Sequence, residues 1–366
     1  MCKMEKAIIN GAEVEYDPTE FEVLTETPYA ELVHLHYIGD GSRPIHNPKG
    51  NTICECMFKY VQLKELDLSE FDVSNVISCV NMFEGADLEY INLSNWNTSN
   101  VRSMCGMFFN CDNITVLDLS SFNTFNVSDM SFMFSGCYKL EKIDISHFNT
   151  SNVKRMWNMF FDCKRLSKLD LSNFNTSKVQ RMDEMFSGCS SIEELDLSSF
   201  SFSSVEEIKE MFMDCTSLEN IVFPKEPNTI TCINISGVFQ NCKSLKSICL
   251  HNFDIYDTTD MSYMFSGCSS IKELDLSHFY NAGYIKTECM FAGCDQLSKL
   301  DIRNLDLNDL SVSSMLMDCA LNEEDIYPLN ILEKAKKEIE DIYGILINDT
   351  SIKSFVELVF REYLEQ

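Results

Sequence analysis

The sequence predicts an α/β repeat solenoid, and three observations carry that prediction. One segment recurs through most of the chain at a spacing of about 26 residues. Each copy contains a stretch such as Leu-Asp-Leu-Ser, in which apolar and polar residues alternate with the period of a half-buried strand. The residues that follow place apolar side chains at helical spacing. Self-similarity at a fixed period is typical of a solenoid, in which each unit buries its apolar face against its neighbours.

The first half of each repeat is predicted to be a β-strand. In one copy, Leu169 and Leu171 should point inward, while Asp170 and Ser172 should point outward. Strands of successive copies are then expected to pair as a parallel sheet, one strand per repeat. The copies begin at Leu63, Leu88, Ile114, Leu140, Leu166, Ile192, Leu218, Leu245, Ile271 and Leu297.

A linker of small polar residues follows each strand and contains one aromatic residue that is expected in the core. These aromatic residues are Phe71, Trp96, Phe122, Phe148, Phe174, Phe200, Phe253 and Phe279.

The second half of each repeat is predicted to be a short helix. Met130, Met133, Phe134, Cys137 and Leu140 have the spacing that places all five on one helical face, and Gly136 suits a helix end.

The chain is predicted to consist of three parts: an N-terminal cap at 1–51, a solenoid of about ten units at 52–319, and a helical C-terminal cap at 320–366. In the first cap, Ala-Glu-Val-Glu-Tyr and Phe-Glu-Val-Leu alternate like strands. In the last cap, residues 329–343 and about 350–365 have the pattern of two helices, whose apolar side should cover the last repeat.

The repeated phrase LDLSNFNTSNVxxMxxMFxGCxxL resembles the BspA-like and mycoplasma-lipoprotein-type leucine-rich repeats of bacterial surface proteins. Leu166, Leu169 and Leu171 match the LxxLxL strand of the leucine-rich-repeat superfamily. The resemblance extends over roughly residues 52–319, about three quarters of the chain. It implies a right-handed superhelix with a parallel sheet on one side and short helices on the other. It further implies a non-enzymatic binding protein, often at a cell surface.

Composition restricts the partners. The formal net charge is −28, from 29 lysines and arginines against 57 acids. Such a surface repels nucleic-acid phosphates and favours a basic or matrix-type protein ligand. No apolar run is long enough for a membrane-spanning helix, so membrane insertion is not expected. The N-terminus has no long apolar stretch, so no signal peptide is expected. Family resemblance favours the cell surface, whereas the lack of a leader in this sequence favours the cytoplasm, and both compartments stay as alternatives. The sequence does not indicate an oligomeric state.

Nine cysteines recur near the end of the predicted helices, and free buried thiols are expected. Adjacent helices lie about 8–10 Å apart, whereas a disulfide needs Cα atoms within about 7 Å. The cysteines are Cys111, Cys137, Cys163, Cys189, Cys215, Cys242, Cys268, Cys294 and Cys319. A zinc site formed by His34, His36, His46, Cys54 and Cys56 is the weaker alternative to a structural cap, since their spacing matches no standard zinc motif. No metal or other cofactor is predicted.

Two groups of residues are candidates for binding a partner. The first is an outward row of aspartates: Asp118, Asp144, Asp170 and Asp196. The second is a group of tyrosines at residues 222–285, where the repeat pattern breaks: Tyr256, Tyr280 and Tyr284. Calcium binding by the carboxylates is a minor alternative. The chain contains none of the common nucleotide-binding, hydrolase or zinc-protease motifs. The sequence therefore predicts a non-enzymatic, adhesin-like protein-recognition module with an extended acidic surface. An intracellular scaffold or immunity-type binder is the alternative function.

Overall fold

The computed structural model divides the chain into two compact units, Met1–Val179 and Gln180–Gln366, and each is described by itself. The structure describes residues 3–9, 12–25, 33–225, 228–230, 234–251, 253–255, 258–279, 285–305, 315–319, 321 and 326–327. Among these residues, no helix is long and apolar enough to cross a membrane.

The first unit begins with two antiparallel hairpins. Strand β1 (Glu5–Ile9) pairs with β2 (Ala12–Tyr16), and β3 (Phe21–Thr25) pairs with β4 (Val33–Tyr37). The alternation that predicts strands at Ala-Glu-Val-Glu-Tyr and Phe-Glu-Val-Leu is thus confirmed by β2 and β3. Their inward residues, such as Val14 and Phe21, are buried because each hairpin hides one face.

The repeats of the first unit contribute short parallel strands, and each repeat is called a coil below. The strands are β5 (Glu65–Asp67), β6 (Tyr90–Asn92), β7 (Val116–Leu117) and β8 (Lys142–Ile143). Strand β5 pairs in parallel with β6, and β7 with β8. The predicted alternation holds in the next coil, where Leu171 is buried, Leu169 is half-buried, and Asp170 and Ser172 are exposed. Parallel pairing of neighbouring repeats is therefore confirmed. The prediction of one strand in every repeat is wrong, because the described residues 166–172 and 245–250 contain no strand.

The second unit continues the same pattern of parallel pairs. Its strands are β9 (Glu194–Asp196), β10 (Asn220–Val222), β11 (Asn228–Ile230), β12 (Phe253–Ile255), β13 (Glu273–Asp275), β14 (Lys299–Asp301) and β15 (Ile326–Tyr327). The last three form one parallel sheet. Strand β15 lies beyond residue 319, where the sequence predicts the solenoid to end. The two helices predicted for residues 329–343 and 350–365 fall outside the described residues.

The prediction of a short helix in each repeat is wrong, because the described residues between 52 and 305 contain no helix. The segment from Met130 to Cys137 is a series of tight turns, called the turn segment. Its N–H groups alternate between two kinds of partner. The N–H groups of Met130, Phe132, Phe134 and Gly136 donate to carbonyl oxygens of the next coil, at 2.7 to 3.0 Å. Those of Met133, Ser135 and Cys137 donate to the residue three positions earlier, at 3.1 to 3.2 Å.

This alternation explains why the helix does not form. In an α-helix, each N–H beyond the first turn donates to the carbonyl oxygen four residues earlier in the same helix. In the turn segment, every second backbone N–H instead donates to the next coil. Hydrogen bonds therefore join neighbouring coils on the turn side as well as on the strand side. The backbone makes this possible through two residues with positive φ, four positions apart. In one coil these are Phe132 (φ 56°) and Gly136 (φ 72°).

The core contains rows of equivalent side chains from successive coils. The linker aromatic residues from Phe71 to Phe200, together with Phe279, are buried as predicted. The turn segments add a second row that the sequence does not reveal as a stack. In the first unit, successive rings of this row lie 5.3 to 5.9 Å apart and within 17° of parallel, through Phe58, Phe83, Phe108, Phe134 and Phe160. In the second unit, Phe186, Phe212, Phe239, Phe265 and Phe291 form the equivalent stack.

Candidate recognition surface

The outward side of the strands in the first unit presents a continuous set of exposed side chains, here called the strand face. In β5 to β7 one residue points into the core and its neighbours point outward, as with buried Leu117 between exposed Val116 and Asp118. The parallel register places Glu65 beside Tyr90 and Val116 beside Lys142. Equivalent positions of neighbouring coils therefore lie about 4.8 Å apart on this face.

The predicted aspartates Asp118, Asp144 and Asp170 all lie exposed on the strand face. Each carboxylate oxygen accepts the backbone N–H of the serine two residues later, at 3.0 Å. This Asx turn directly follows the strand at Asp118 and Asp144 and redirects the chain into the linker. Asp170 makes the same turn in a coil that has no strand. Asp196 makes the same contact with Ser198 in the second unit, at 2.9 Å. The aspartates thus have a structural role in each of these turns, as expected from the serines that follow them in the sequence.

These hydrogen bonds also change the acidity of the carboxyl groups. The side chain and then the backbone N–H of Ser120 donate to Asp118, which lowers its pKa below the ordinary value. The pKa values of Asp144 and Asp170 are lowered in the same way by Ser146 and Ser172. Repulsion from Asp144 acts in the opposite direction on both neighbours. The strand face therefore carries a row of charged carboxylates at neutral pH.

Two exposed apolar residues beside this row were missed by the sequence analysis. Tyr90 is 57% exposed and Val116 is 55% exposed, although both belong to strands of the sheet. The equivalent positions in other coils carry charged residues such as Glu65, Lys142 and Lys168. An apolar residue at a position that is charged in other repeats was the sequence signal that could have identified Tyr90 and Val116. A partly apolar patch therefore adjoins the acidic row.

The tyrosines predicted as anchors cannot be placed on any surface, since Tyr256, Tyr280 and Tyr284 lie outside the described residues. The pattern break around them is visible in the second unit. There, Val222 of β10 pairs with Asp196 of β9 and is 40% exposed. Further along, His251 lies 3.7 Å from the carboxylate of Asp275 and its ring lies 5.2 Å from that of His278. In the second unit, Val222 and Cys249 therefore replace the outward aspartate in two coils, and His251 lies beside the aspartate of the next coil.

No group of three or more potential metal ligands occurs among the described residues. The N-terminal histidines and cysteines are instead dispersed among other partners. His46 lies against Glu70, with 3.7 Å between ring nitrogen and carboxylate. The Cys54 thiol accepts a hydrogen bond from the Asn51 amide at 3.5 Å, and His34 is buried in β4. Neither the zinc alternative nor the calcium alternative gains a ligand set in the described part of the chain.

Two family profiles match the repeats. Residues 52–169 and 136–223 match a family described as "Mycoplasma protein of unknown function, DUF285". Residues 182–322 match the BspA-type leucine-rich-repeat region, which is described with six copies. Together the matches extend from residue 52 to residue 322. A comparison with curated proteins finds no match.

Among solved structures, the chain is similar to a leucine-rich-repeat protein of T. pallidum, with 16% identity, coverage of 77% of this chain and 90% of the other, and a TM-score of 0.30. A leucine-rich-repeat protein of Leptospira interrogans gives 13% identity, 77% and 88% coverage, and a TM-score of 0.26. An internalin of Listeria monocytogenes gives 14% identity, 70% and 79% coverage, and a TM-score of 0.22. All three TM-scores are low, from 0.22 to 0.30. The family matches over the repeats, by contrast, establish that the chain belongs to the BspA-like leucine-rich-repeat proteins.

Proposed function

We propose that this chain is a non-enzymatic, adhesin-like recognition module that binds a basic or matrix-type protein through the strand face of its first unit. The BspA-type repeat indicates a protein-interaction module, and such repeats are generally non-enzymatic. The finer assignment to one face is supported by a single observation. Tyr90 and Val116 are more than half exposed on the same side of the sheet as Asp118, Asp144 and Asp170.

The two kinds of side chain have different tasks in this proposal. The carboxylates attract a basic partner from a distance, so they control the rate of association and its dependence on salt. Tyr90 and Val116 lose their water when the partner docks, so they control the rate of dissociation. Tyr256, Tyr280 and Tyr284 remain predicted partner-binding residues, and they lie outside the described residues.

An intracellular scaffold or immunity-type binder is the second candidate. It is favoured by the 15 described cysteines, none of which forms a disulfide, because reducing compartments keep thiols in this state. Brief protease treatment of intact cells that produce the protein separates the two candidates. An adhesin is cleaved while the membrane is intact, whereas an intracellular scaffold is cleaved only after lysis.

The strand-face assignment is tested by kinetics on a partner captured from a lysate or from host matrix. Replacing Asp144 and Asp170 by Asn should slow association and flatten its salt dependence. Asparagine keeps the Asx turn, as Asn92 shows by accepting the N–H of Ser94 at 3.1 Å. Replacing Tyr90 and Val116 by Ser should leave association nearly unchanged and speed dissociation.

A matched control is Asp72→Asn. Asp72 accepts the N–H of Ser74 at 2.8 Å in the same kind of turn, but it belongs to the linker rather than to a strand. This variant should bind like the parent chain. The strand-face proposal fails if both the charge-neutralised and the Tyr90/Val116 variants also bind like the parent.

A further inference from the structure

Three aromatic side chains form a line across the turn segments of the first unit. Phe109, Phe132 and Trp157 come from three successive coils. The ring of Phe132 lies 5.7 Å from that of Phe109 and 4.4 Å from that of Trp157. All three side chains are half-buried. They are called the aromatic stripe, and they do not belong to the strand face.

The stripe departs from the residue types that the repeat normally places there. Equivalent positions in most other described coils carry small, polar or charged residues. These are Glu84, Ser135 and Ser187 for Phe109, Asn81, Gly106 and Asn158 for Phe132, and Cys105, Ser131 and Asp183 for Trp157. The aromatic exceptions are Phe161 for Phe109, and Tyr263 for Phe132. The turn segment therefore folds without aromatic side chains at these three positions. Their presence in three neighbouring coils points to a use other than folding.

The backbone of Phe132 supports this conclusion. Its φ of 56° lies in the left-handed region, which a bulky side chain strongly disfavours. Asn81 and Gly106 occupy the same position with φ of 53° and 61°, and both residue types tolerate it better. A residue kept in a conformation that opposes its own preference is a reason to suspect a function.

Exposed cationic groups border the stripe. The N–H of Ser128 donates to the carbonyl of Arg102, and the N–H of Lys154 donates to that of Ser128, so Arg102 and Lys154 lie in one row two coils apart. Among the described residues, neither side chain has an ion-pair partner. Arg155 precedes Trp157 by two residues and is 57% exposed, although it contacts Asp129 at 3.3 Å.

These cations are unusual in a chain with a net charge of −28. With the carboxylate of Asp129, which Arg155 contacts, counted against them, they still leave an excess of positive charge at the border of the stripe, whereas the strand face is negative. An apolar centre with a charged rim is the usual arrangement of a protein-binding surface. Aromatic and arginine side chains supply most of the affinity at such surfaces.

We propose that the aromatic stripe is a second interaction site, which binds an acidic protein segment carrying apolar side chains. The apolar side chains of that segment pack on Trp157 and Phe132, and its carboxylates meet Arg102, Lys154 and Arg155. A protein segment fits better than a nucleic acid, because the charge of the whole chain repels a phosphate backbone. The chain then has two sites of opposite preference, one for a basic partner and one for an acidic partner.

The test uses the fluorescence of Trp157 in the full chain. The chain has two tryptophans, and the other one, Trp96, is buried, so a shift in emission on binding reports on Trp157. The probe is a synthetic peptide of alternating glutamate and leucine residues with one phenylalanine. It should give a saturable blue shift that weakens with salt. The same peptide with lysine in place of glutamate should give none.

Two variants connect this binding to the stripe. Lys154→Glu should weaken peptide binding about tenfold or more, because it reverses a charge at the rim. Its matched control, Lys142→Glu, reverses an exposed lysine on the strand face and should leave binding unchanged. Phe132→Gly should also weaken binding about tenfold or more while its melting temperature stays equal or rises, because glycine accepts the left-handed backbone. Phe125→Ala removes a more exposed aromatic residue outside the stripe and should bind like the parent.

Several outcomes would overturn the proposal. It fails if the lysine peptide binds as well as the glutamate peptide, or if Lys154→Glu and Phe132→Gly bind like the parent. It also fails if oligo(dT) gives the stronger saturable shift, since the stripe would then be a stacking surface for nucleic acid. Sedimentation that shows stripe-dependent self-association, without displacement by the peptide, would assign the surface to a second copy of the chain instead.

Discussion

The thiol of Cys137 donates a hydrogen bond to the backbone carbonyl oxygen of Phe108 in the preceding coil, at 3.2 Å. The same oxygen accepts the N–H of Cys111 at 3.1 Å, so both of its lone pairs are used. The contact recurs from Cys111 to Phe83 and from Cys163 to Phe134. In the second unit it recurs from Cys215 to Phe186 and from Cys242 to Phe212. A cysteine at this position therefore combines a small apolar side chain with a weak donor.

The burial of these cysteines predicts the reactivity of their thiols. Burial raises the pKa of Cys137 to about 12, so almost no thiolate exists near neutral pH, and the thiolate is the form that reacts. A short pulse of iodoacetamide on the native protein should label exposed Cys249 and leave Cys137, Cys163 and Cys189 unmodified. Peptide mass spectrometry after the pulse, with and without denaturant, measures the difference. Disulfides between successive buried cysteines, or equal labelling of Cys137 and Cys249, would contradict it.

The stacked phenylalanines of the turn segments predict a large effect of truncation. Phe134 is fully buried, and its ring lies 5.9 Å from Phe108 and 5.5 Å from Phe160. Phe134→Ala should reduce the free energy of unfolding by about 3–5 kcal/mol, because a cavity remains between two rings. The control Phe125→Ala removes a ring that is 52% exposed and should change stability by less than about 0.5 kcal/mol. Thermal melts of the two variants that coincide would argue against the stack.

Because Gly136 has a left-handed backbone conformation, the stability of the protein should depend on which residue type occupies this position. Its φ is 72°, and an added Cβ would meet the side-chain oxygen of Asn110. Gly136→Ala should therefore cost about 1–2 kcal/mol from the backbone preference, in addition to this steric contact. Gly136→Asn adds the same Cβ but should cost less, because asparagine tolerates positive φ, as Asn110 and Asn241 do in equivalent positions. Chemical denaturation compares the two, and an Asn variant less stable than the Ala variant would contradict the assignment.

The Asx turns predict a loss of stability in acid. The pKa of Asp118 is lower in the folded chain than its ordinary value of 3.8, so the folded state favours the ionised carboxylate. Its contribution to stability is fully present above that ordinary value and is lost as the pH falls through the lowered, folded-state pKa. Asp118→Asn keeps an acceptor for the Ser120 N–H but does not titrate. Between about pH 5 and pH 2, the melting temperature of the parent should therefore fall more steeply than that of the variant. Parallel curves for the two chains would show that this carboxylate does not contribute.

Much of the fold follows from the sequence because burial repeats with the coil. The spacing of the copies predicts one strand per coil, and the alternation around Leu171 predicts which side chains enter the core. The aromatic linker residues and the buried thiols are predicted in the same way, since a side chain that recurs at one position of a solenoid meets its own equivalents. The aspartates of the candidate surface were also found, because they alternate with the leucines on each strand.

The turn segment could not be predicted, because two structures bury the same residues. A helix and a series of turns both bring Met130, Met133, Phe134 and Cys137 to one side. Only the neighbouring coil decides between them, by accepting every second N–H. The packing of neighbouring coils likewise determines how exposed Tyr90 and Val116 are and brings Phe132 into contact with Trp157. The sequence by itself thus determined the period and the buried positions, whereas the hydrogen-bond partners and the exposed neighbours were decided by the stacking of one coil on the next.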